Sequence, residues 1–346
     1  MLPLVACSAN TPAEVNEESS DGTDPADDMP DSALGETADA DEVTEEASGQ
    51  VGGAVEISSV EFAGRLWDPF LPPLDTGTEV TIDGWLTIPA STEPVPAVVL
   101  THGCGGPGGE RVWADVLADA EIATLVLDSF GARGVTEICS GRETLNVADP
   151  IVDAYRAAQF LRQHPRIDPD AIAVMGFSFG GRTALWSALR RFQEAYGGEP
   201  FAAHVAFYPS TCYIQLDDEA DVTGGPIRIF HGTADDWTPI GQCEDMVDRM
   251  ASGGADAEIV PYDGALHSFD NRTLAWAVRH QQPSAVSPRA CTFVERDGAI
   301  IDPDTGSVAG VGSPCVERGV TYGYDADAHE ASERDLLALL DDAFDR

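Results

Sequence analysis

"VMGFSFGGRTAL", residues 174–185, passes from an apolar run through Gly176-Phe177-Ser178-Phe179-Gly180-Gly181 into an Ala/Leu pattern. A buried strand that ends in a sharp, glycine-relieved turn and feeds a helix exposes the hydroxyl of the turn residue, the geometry of a nucleophile elbow. Gly-x-Ser-x-Gly by itself recurs by chance in a glycine-rich chain, so the weight of the motif lies in its placement. A serine hydroxyl is a poor nucleophile at neutral pH and needs a base, itself oriented by an acid. For a nucleophile on such an elbow, the acid and then the histidine are expected downstream, each after the C-terminal end of a strand.

Working outward, residues 96–102, 122–128, 171–178, 201–209, 226–232 and 257–264 are short, nearly continuous apolar runs, as buried parallel strands are. Helical patterns lie between them. Asp149-Pro150 reads as an N-cap followed by Pro at N1, with Ile151, Ala154, Tyr155, Ala158 and Leu161 on one face. Leu185, Leu189 and Phe192 repeat at helical spacing, and "PIGQCEDMVDRMAS" supplies another helix. Alternating strand and helix predicts an α/β fold, a mostly parallel sheet flanked by helices on both faces. "AVEISSVEF" and "EVTIDGWLTIPA" alternate more clearly and suit an antiparallel edge. Residues 273–320 break the rhythm as a Gly- and Pro-rich excursion with Cys291 and Cys315 as its closing pair, and a bridge there would contribute about 3 kcal/mol. A last helix carries Leu336, Leu337, Leu340 and Phe344 inward.

The two runs after the serine turn end in the required residue types. "PIRIFHG" is followed by "TADDW", offering Asp235 or Asp236, and "AEIVPYDG" by "ALHSFD", offering His267. Backbone donors for a tetrahedral oxyanion are expected from the N–H of Phe179 and from the loop His102-Gly103-Cys104-Gly105-Gly106, of which Cys104 is the candidate. His102 lies in the wrong loop for the base and reads as scaffolding. His204 and His231 fall within or at the end of strands and read as core residues, and His164, His280 and His329 match nothing. No spacing suggests a metal site, a P-loop or a dinucleotide fingerprint, so neither metal nor cofactor is expected.

The 346 residues leave ample room for a core, with 43% apolar residues. The formal charge is −41, and all 19 basic residues are arginine. Such a surface repels polyanions, which disfavours a nucleic-acid partner. From Glu14 to Glu46 the chain holds 14 acidic residues and neither a basic nor an aromatic one, so residues 8–52 read as a disordered acidic linker. Leu4-Val5-Ala6-Cys7 resembles the lipobox of bacterial lipoproteins, with Cys7 as the lipidated residue and residues 1–7 as the remnant of a signal peptide whose beginning would lie upstream. That resemblance implies membrane attachment through lipid on Cys7 and a cell-envelope or extracellular location. Removing Cys7 leaves six cysteines, an even set that suits disulfides in an exported protein.

Taken together, "HGCGG", "DSFGARG", "GFSFGG", "FYPSTC", "GTADDWTP" and "YDGALHSFD" resemble the dienelactone hydrolase family of α/β hydrolases over most of residues 80–270. The resemblance implies an α/β-hydrolase domain over residues 53–346, interrupted by the excursion, and a triad of Ser178, Asp235 and His267, with Asp236 as second choice for the acid. It also implies bridges Cys104–Cys139 and Cys212–Cys243. Founding members of the family use a cysteine nucleophile restrained by a glutamate, whereas this chain carries Ser178 and "HGCGG" offers no glutamate. A serine version implies a general carboxylic-ester hydrolase, acting on small-molecule esters through an acyl-enzyme, rather than a dienelactone-cleaving enzyme. Two other readings remain open: a serine peptidase of the prolyl oligopeptidase kind, for which the chain lacks the length of a propeller domain, and a non-catalytic envelope lipoprotein that uses the fold as a binding module.

Overall fold

A computed structural model of the chain describes residues 50–68, 70–142 and 145–346. The readings of Cys7 and of the acidic tract up to residue 49 lie outside the described residues. Regular structure opens with β1 (Val51–Glu61), which starts within the last residues read as linker, because Val51 pairs with Ile88 at the far end of β2 (Thr78–Ile88). There follow β3 (Val95–Thr101), α1 (Arg111–Asp119), β4 (Ala123–Asp128), α2 (Ala148–Arg162) and β5 (Ile167–Phe177). The serine turn leads into α3 (Phe179–Trp186), then α4 (Arg190–Tyr196), β6 (His204–Phe207), the two-residue β7 (Ile214–Gln215), β8 (Ile227–Gly232), α5 (Ile240–Ser252) and β9 (Ala257–Tyr262). The excursion holds β10 (His280–Ser287), β11 (Phe293–Arg296), β12 (Ala299–Asp302), β13 (Ser307–Val308) and β14 (Glu317–Tyr322), and α6 (Ala326–Ala343) closes the chain.

The main sheet runs in the order β1-β2-β4-β3-β5-β6-β8-β9. β1 and β2 form the antiparallel edge, and from β4 to β9 all neighbours are parallel. On β3, Ala97 and Val99 face one apolar layer with α2, α3 and α5, while Val98 and Leu100 face the other with α1 and α6. All four are fully buried, which is why the strand is apolar without alternation. Val98, Val99 and Leu100 each contribute about 1.5–3 kcal/mol by leaving water.

Three expectations need correction. Asp149 is not the N-cap of α2, which begins at Ala148, because its Oδ1 accepts from the Phe62 N–H instead. The spacing of Leu185, Leu189 and Phe192 predicts one helix, but the chain breaks between α3 and α4. Leu189 is extended (φ −72°, ψ 128°) and bridges to Val222, and the Ser187 hydroxyl donates to the Ala184 carbonyl at 2.9 Å. The excursion is a structured lobe rather than a loop. β11 pairs with β12 and, in parallel, with β7, β10 pairs with β14, and Cys291–Cys315 closes the segment that holds β11, β12 and β13. The Trp67 indole N–H donates to the Ala309 carbonyl at 2.9 Å, tying this lobe to the segment between β1 and β2. Among the described residues no helix is long and apolar enough to cross a membrane.

Candidate active site

Ser178 sits between the last residue of β5 and the first of α3 with φ 52° and ψ −105°, a conformation that a non-glycine residue adopts only under restraint. The restraint is visible. The Ser178 N–H donates to the Phe207 carbonyl (2.9 Å), and the Ser178 carbonyl accepts from the N–H groups of Ser210 (3.0 Å) and Arg182 (3.1 Å). A Cβ on Gly176 would lie 2.1 Å from the Gly180 carbonyl oxygen, and one on Gly180 would lie 2.1 Å from the Thr101 carbonyl oxygen. Only glycine lets the strand, the turn and the end of β3 approach this closely.

The histidine and the acid meet on loops after β9 and β8. His267 Nδ1 lies 2.7 Å from Asp235 Oδ2, and both side chains are buried. Asp235 Oδ1 accepts from the N–H groups of Trp237 (2.8 Å) and Thr238 (2.9 Å), and Oδ2 also accepts from the Thr238 hydroxyl (3.0 Å). Burial pushes the Asp235 carboxyl up, but the charge and hydrogen bond of His267, with His231 and the Thr238 N–H, outweigh it and hold it below the usual carboxylate range. An ionised Asp235 is an acceptor only. It therefore places the imidazole proton on Nδ1 and leaves the Nε2 lone pair free to take a proton. Trp237 and Tyr208 pack on the imidazole, with ring centroids 4.7 and 4.5 Å away. Asp236 points elsewhere: its Oδ1 accepts from the Thr321 N–H at 2.7 Å, so it pins β14 rather than the histidine.

The loop after β3 passes against the serine, since a Cβ on Gly103 would lie 3.9 Å from the Ser178 Cβ. Among the described residues, the backbone N–H groups of Cys104 and Phe179 donate to no protein acceptor. Both residues line the cavity that Ser178 borders. Cys104–Cys139 and Cys212–Cys243 are disulfides in the structure, the first anchoring this loop and the second joining the segment after β6 to α5. His102 is buried in its loop, its Nδ1 2.8 Å from the Gly103 carbonyl and its Nε2 accepting from the Ser129 N–H. His204 and His231 are fully buried core residues on β6 and β8.

Two spaces open beside Ser178. A cavity of about 100 Å³ is mainly apolar, walled by Phe179, Trp67, Tyr213, Phe293 and Val311, and contains Arg182. A wider cleft of about 290 Å³ holds His267, Tyr208 and Tyr322. Sequence reasoning missed several of these residues. Arg182 lies inside the quoted motif. Glu110, four residues beyond "HGCGG", is buried at the cleft, with its Oε2 accepting from the Gly108 N–H at 2.7 Å. The excursion contributes Phe293 and Val311 and so walls the cavity, in keeping with its place directly after His267 in the sequence.

Residues 82–287 match the sequence profile of the dienelactone hydrolase family. Among curated proteins, the chain is similar to the uncharacterized peptidase YuxL of Bacillus subtilis (strain 168), 25% identical over 231 residues, covering 55% of this chain and 34% of that protein. It is also similar to a probable 2-oxo-3-(5-oxofuran-2-ylidene)propanoate lactonase of Bradyrhizobium sp, 26% identical over 197 residues, covering 54% of this chain and 77% of that one. The chain thus spans about a third of the length of the first relative. A crystal structure of a putative dienelactone hydrolase from Klebsiella pneumoniae subsp. pneumoniae MGH 78578 shares the fold, with TM-score 0.52, 16% identity, and coverage of 83% of this chain and 98% of that one.

Proposed function

The chain belongs to the dienelactone hydrolase family, and we propose that it hydrolyses small carboxylic esters through an acyl-enzyme on Ser178. The observation that carries this reading is that His267, 2.7 Å from Asp235, lines one cleft together with the strained Ser178. The Ser178 Oγ attacks the ester carbonyl while its proton passes to His267 Nε2, and the imidazolium that forms is stabilised by Asp235. The N–H groups of Phe179 and Cys104, free of protein acceptors, receive the oxyanion.

The two spaces divide the substrate. The protonated His267 must deliver its proton to the departing alcohol, so the alcohol belongs in the wider cleft that His267 lines. The acyl group belongs in the smaller cavity, which Ser178, Phe179 and Cys104 border and His267 does not. Water entering by the cleft then attacks the acyl-enzyme with His267 as base, releasing the acid and restoring Ser178.

A panel of methyl and p-nitrophenyl esters of short acids, run beside chromogenic peptide amides, tests the reading. The wild type is expected to turn over the esters and not the amides, and Ser178→Ala to lose at least ~10⁴-fold in kcat. Amide cleavage with inert esters would favour a peptidase. Folded wild-type protein inert to both would favour a binding module.

A further inference from the structure

Arg182 is buried, 4% exposed, in the wall of the acyl cavity. Among the described residues its guanidinium makes neither a hydrogen bond nor an ion pair with the protein, and its Nη2 is a buried nitrogen with no partner. It packs on aromatic rings. The Cζ atom lies 4.5 Å from the Phe179 ring centroid and 5.6 Å from that of Trp186. Burial lowers its pKa to about 10, opposed by the nearby Tyr213, so the group stays a cation at neutral pH. A desolvated charge of this kind is costly, and cation–π contacts replace only part of the lost hydration.

The position of this charge follows from the helix. Arg182 lies in the first turn of α3, its N–H donates to the Ser178 carbonyl, and both residues line the same cavity. Helical side chains lean toward the N-terminus, which carries the guanidinium back over Phe179, toward the serine turn. Tyr213 borders the same cavity, and among the described residues its hydroxyl makes no hydrogen bond with the protein. A cation and a free hydroxyl donor thus share an otherwise apolar cavity that receives the acyl group. The Arg182 fork matches a carboxylate in two N–H donors, and Tyr213 adds a third.

We propose that Arg182, assisted by Tyr213, binds a free carboxylate at the far end of the acyl group, so that the substrates are monoesters of short dicarboxylic acids. This rests on the acyl-enzyme reading for the assignment of the cavity, and the experiment separates the two. Methyl hydrogen succinate and methyl butyrate differ mainly in a terminal carboxylate against a methyl group. The wild type is expected to favour the succinate ester at least tenfold in kcat/KM. Arg182→Met is expected to bring that ratio to one or below, and Arg182→Lys, which keeps the charge without the fork, to retain part of it.

A second measurement does not depend on turnover. In Ser178→Ala, methyl hydrogen succinate is expected to raise the Tm and methyl butyrate to leave it unchanged; in Ser178→Ala/Arg182→Met the succinate ester loses its effect. Arg182→Met alone is expected to melt at or above the wild type, since it removes an uncompensated buried charge, whereas a purely structural arginine would lower the Tm when replaced. Equal kcat/KM for the two esters, or a succinate shift that survives the double substitution, overturns the proposal. Inert esters with an intact, Arg182-dependent shift support it and count against the acyl-enzyme reading instead.

Discussion

Arg133 and Arg182 both carry buried guanidinium groups, one beneath β1 at the edge of the sheet and the other beside the serine turn. Arg133 meets Asp153 through two N–H donors (2.8 and 2.9 Å) and also donates to the Ser129 and Val60 carbonyls. Asp153 in turn accepts from the Ser59 hydroxyl at 2.5 Å, so β1, α2 and the segment after β4 are joined through one charge. Burial works against the Arg133 cation, but Asp153 prevails and raises its pKa. Arg182 has aromatic faces and no such set. Where a charge serves the fold, the fold supplies the counter-charge; where it borders a substrate cavity, the counter-charge is left to the substrate.

The largest effect separating the two should come from Asp153→Ala, which leaves Arg133 buried without its carboxylate. Urea unfolding is expected to show a loss of ~3–5 kcal/mol, with ester turnover per folded molecule little changed because the site is remote. A neutral result would dissolve the contrast with Arg182.

A smaller, pH-dependent effect belongs to Asp149 in the same cluster. Its Oδ1 accepts from the Phe62 N–H at 2.8 Å while its Oδ2 is buried without a partner. Burial raises its pKa from 3.8 to about 7, opposed by Arg133 and reinforced by Asp153 and Glu61. A carboxyl whose folded pKa is raised stabilises the fold in its protonated form, fully below pH 3.8, and that stability is lost as pH rises through about 7. Asp149→Asn keeps an acceptor for Phe62 and removes the titration. Across that window its unfolding free energy from urea titrations is expected to decline less than the wild type's, by on the order of 1–3 kcal/mol; parallel declines would refute the assignment.

The contrast also marks what the residues disclose before folding. β3, β4 and β5 are legible because a strand covered on both faces must be apolar throughout, and the Ser178, Asp235 and His267 positions because each follows such a strand. The choice between Asp235 and Asp236 is not legible locally; it is made by which carboxylate the Thr238 N–H and His267 meet. Arg182 stands in the very motif that locates the turn, yet its interest lies in lacking a partner, which only the packed chain reveals. The excursion is only partly legible for the same reason: besides its hairpin with β12, β11 pairs with β7, nearly eighty residues earlier.

Ser178 is the centre of the proposed chemistry, and the most direct measurement is to treat the wild type with a fluorophosphonate and map the adduct by peptide mass spectrometry. One adduct per chain, on Ser178, absent from Ser178→Ala and strongly reduced in His267→Ala, is the result expected. An adduct on another residue, or labelling that persists in Ser178→Ala, would contradict it.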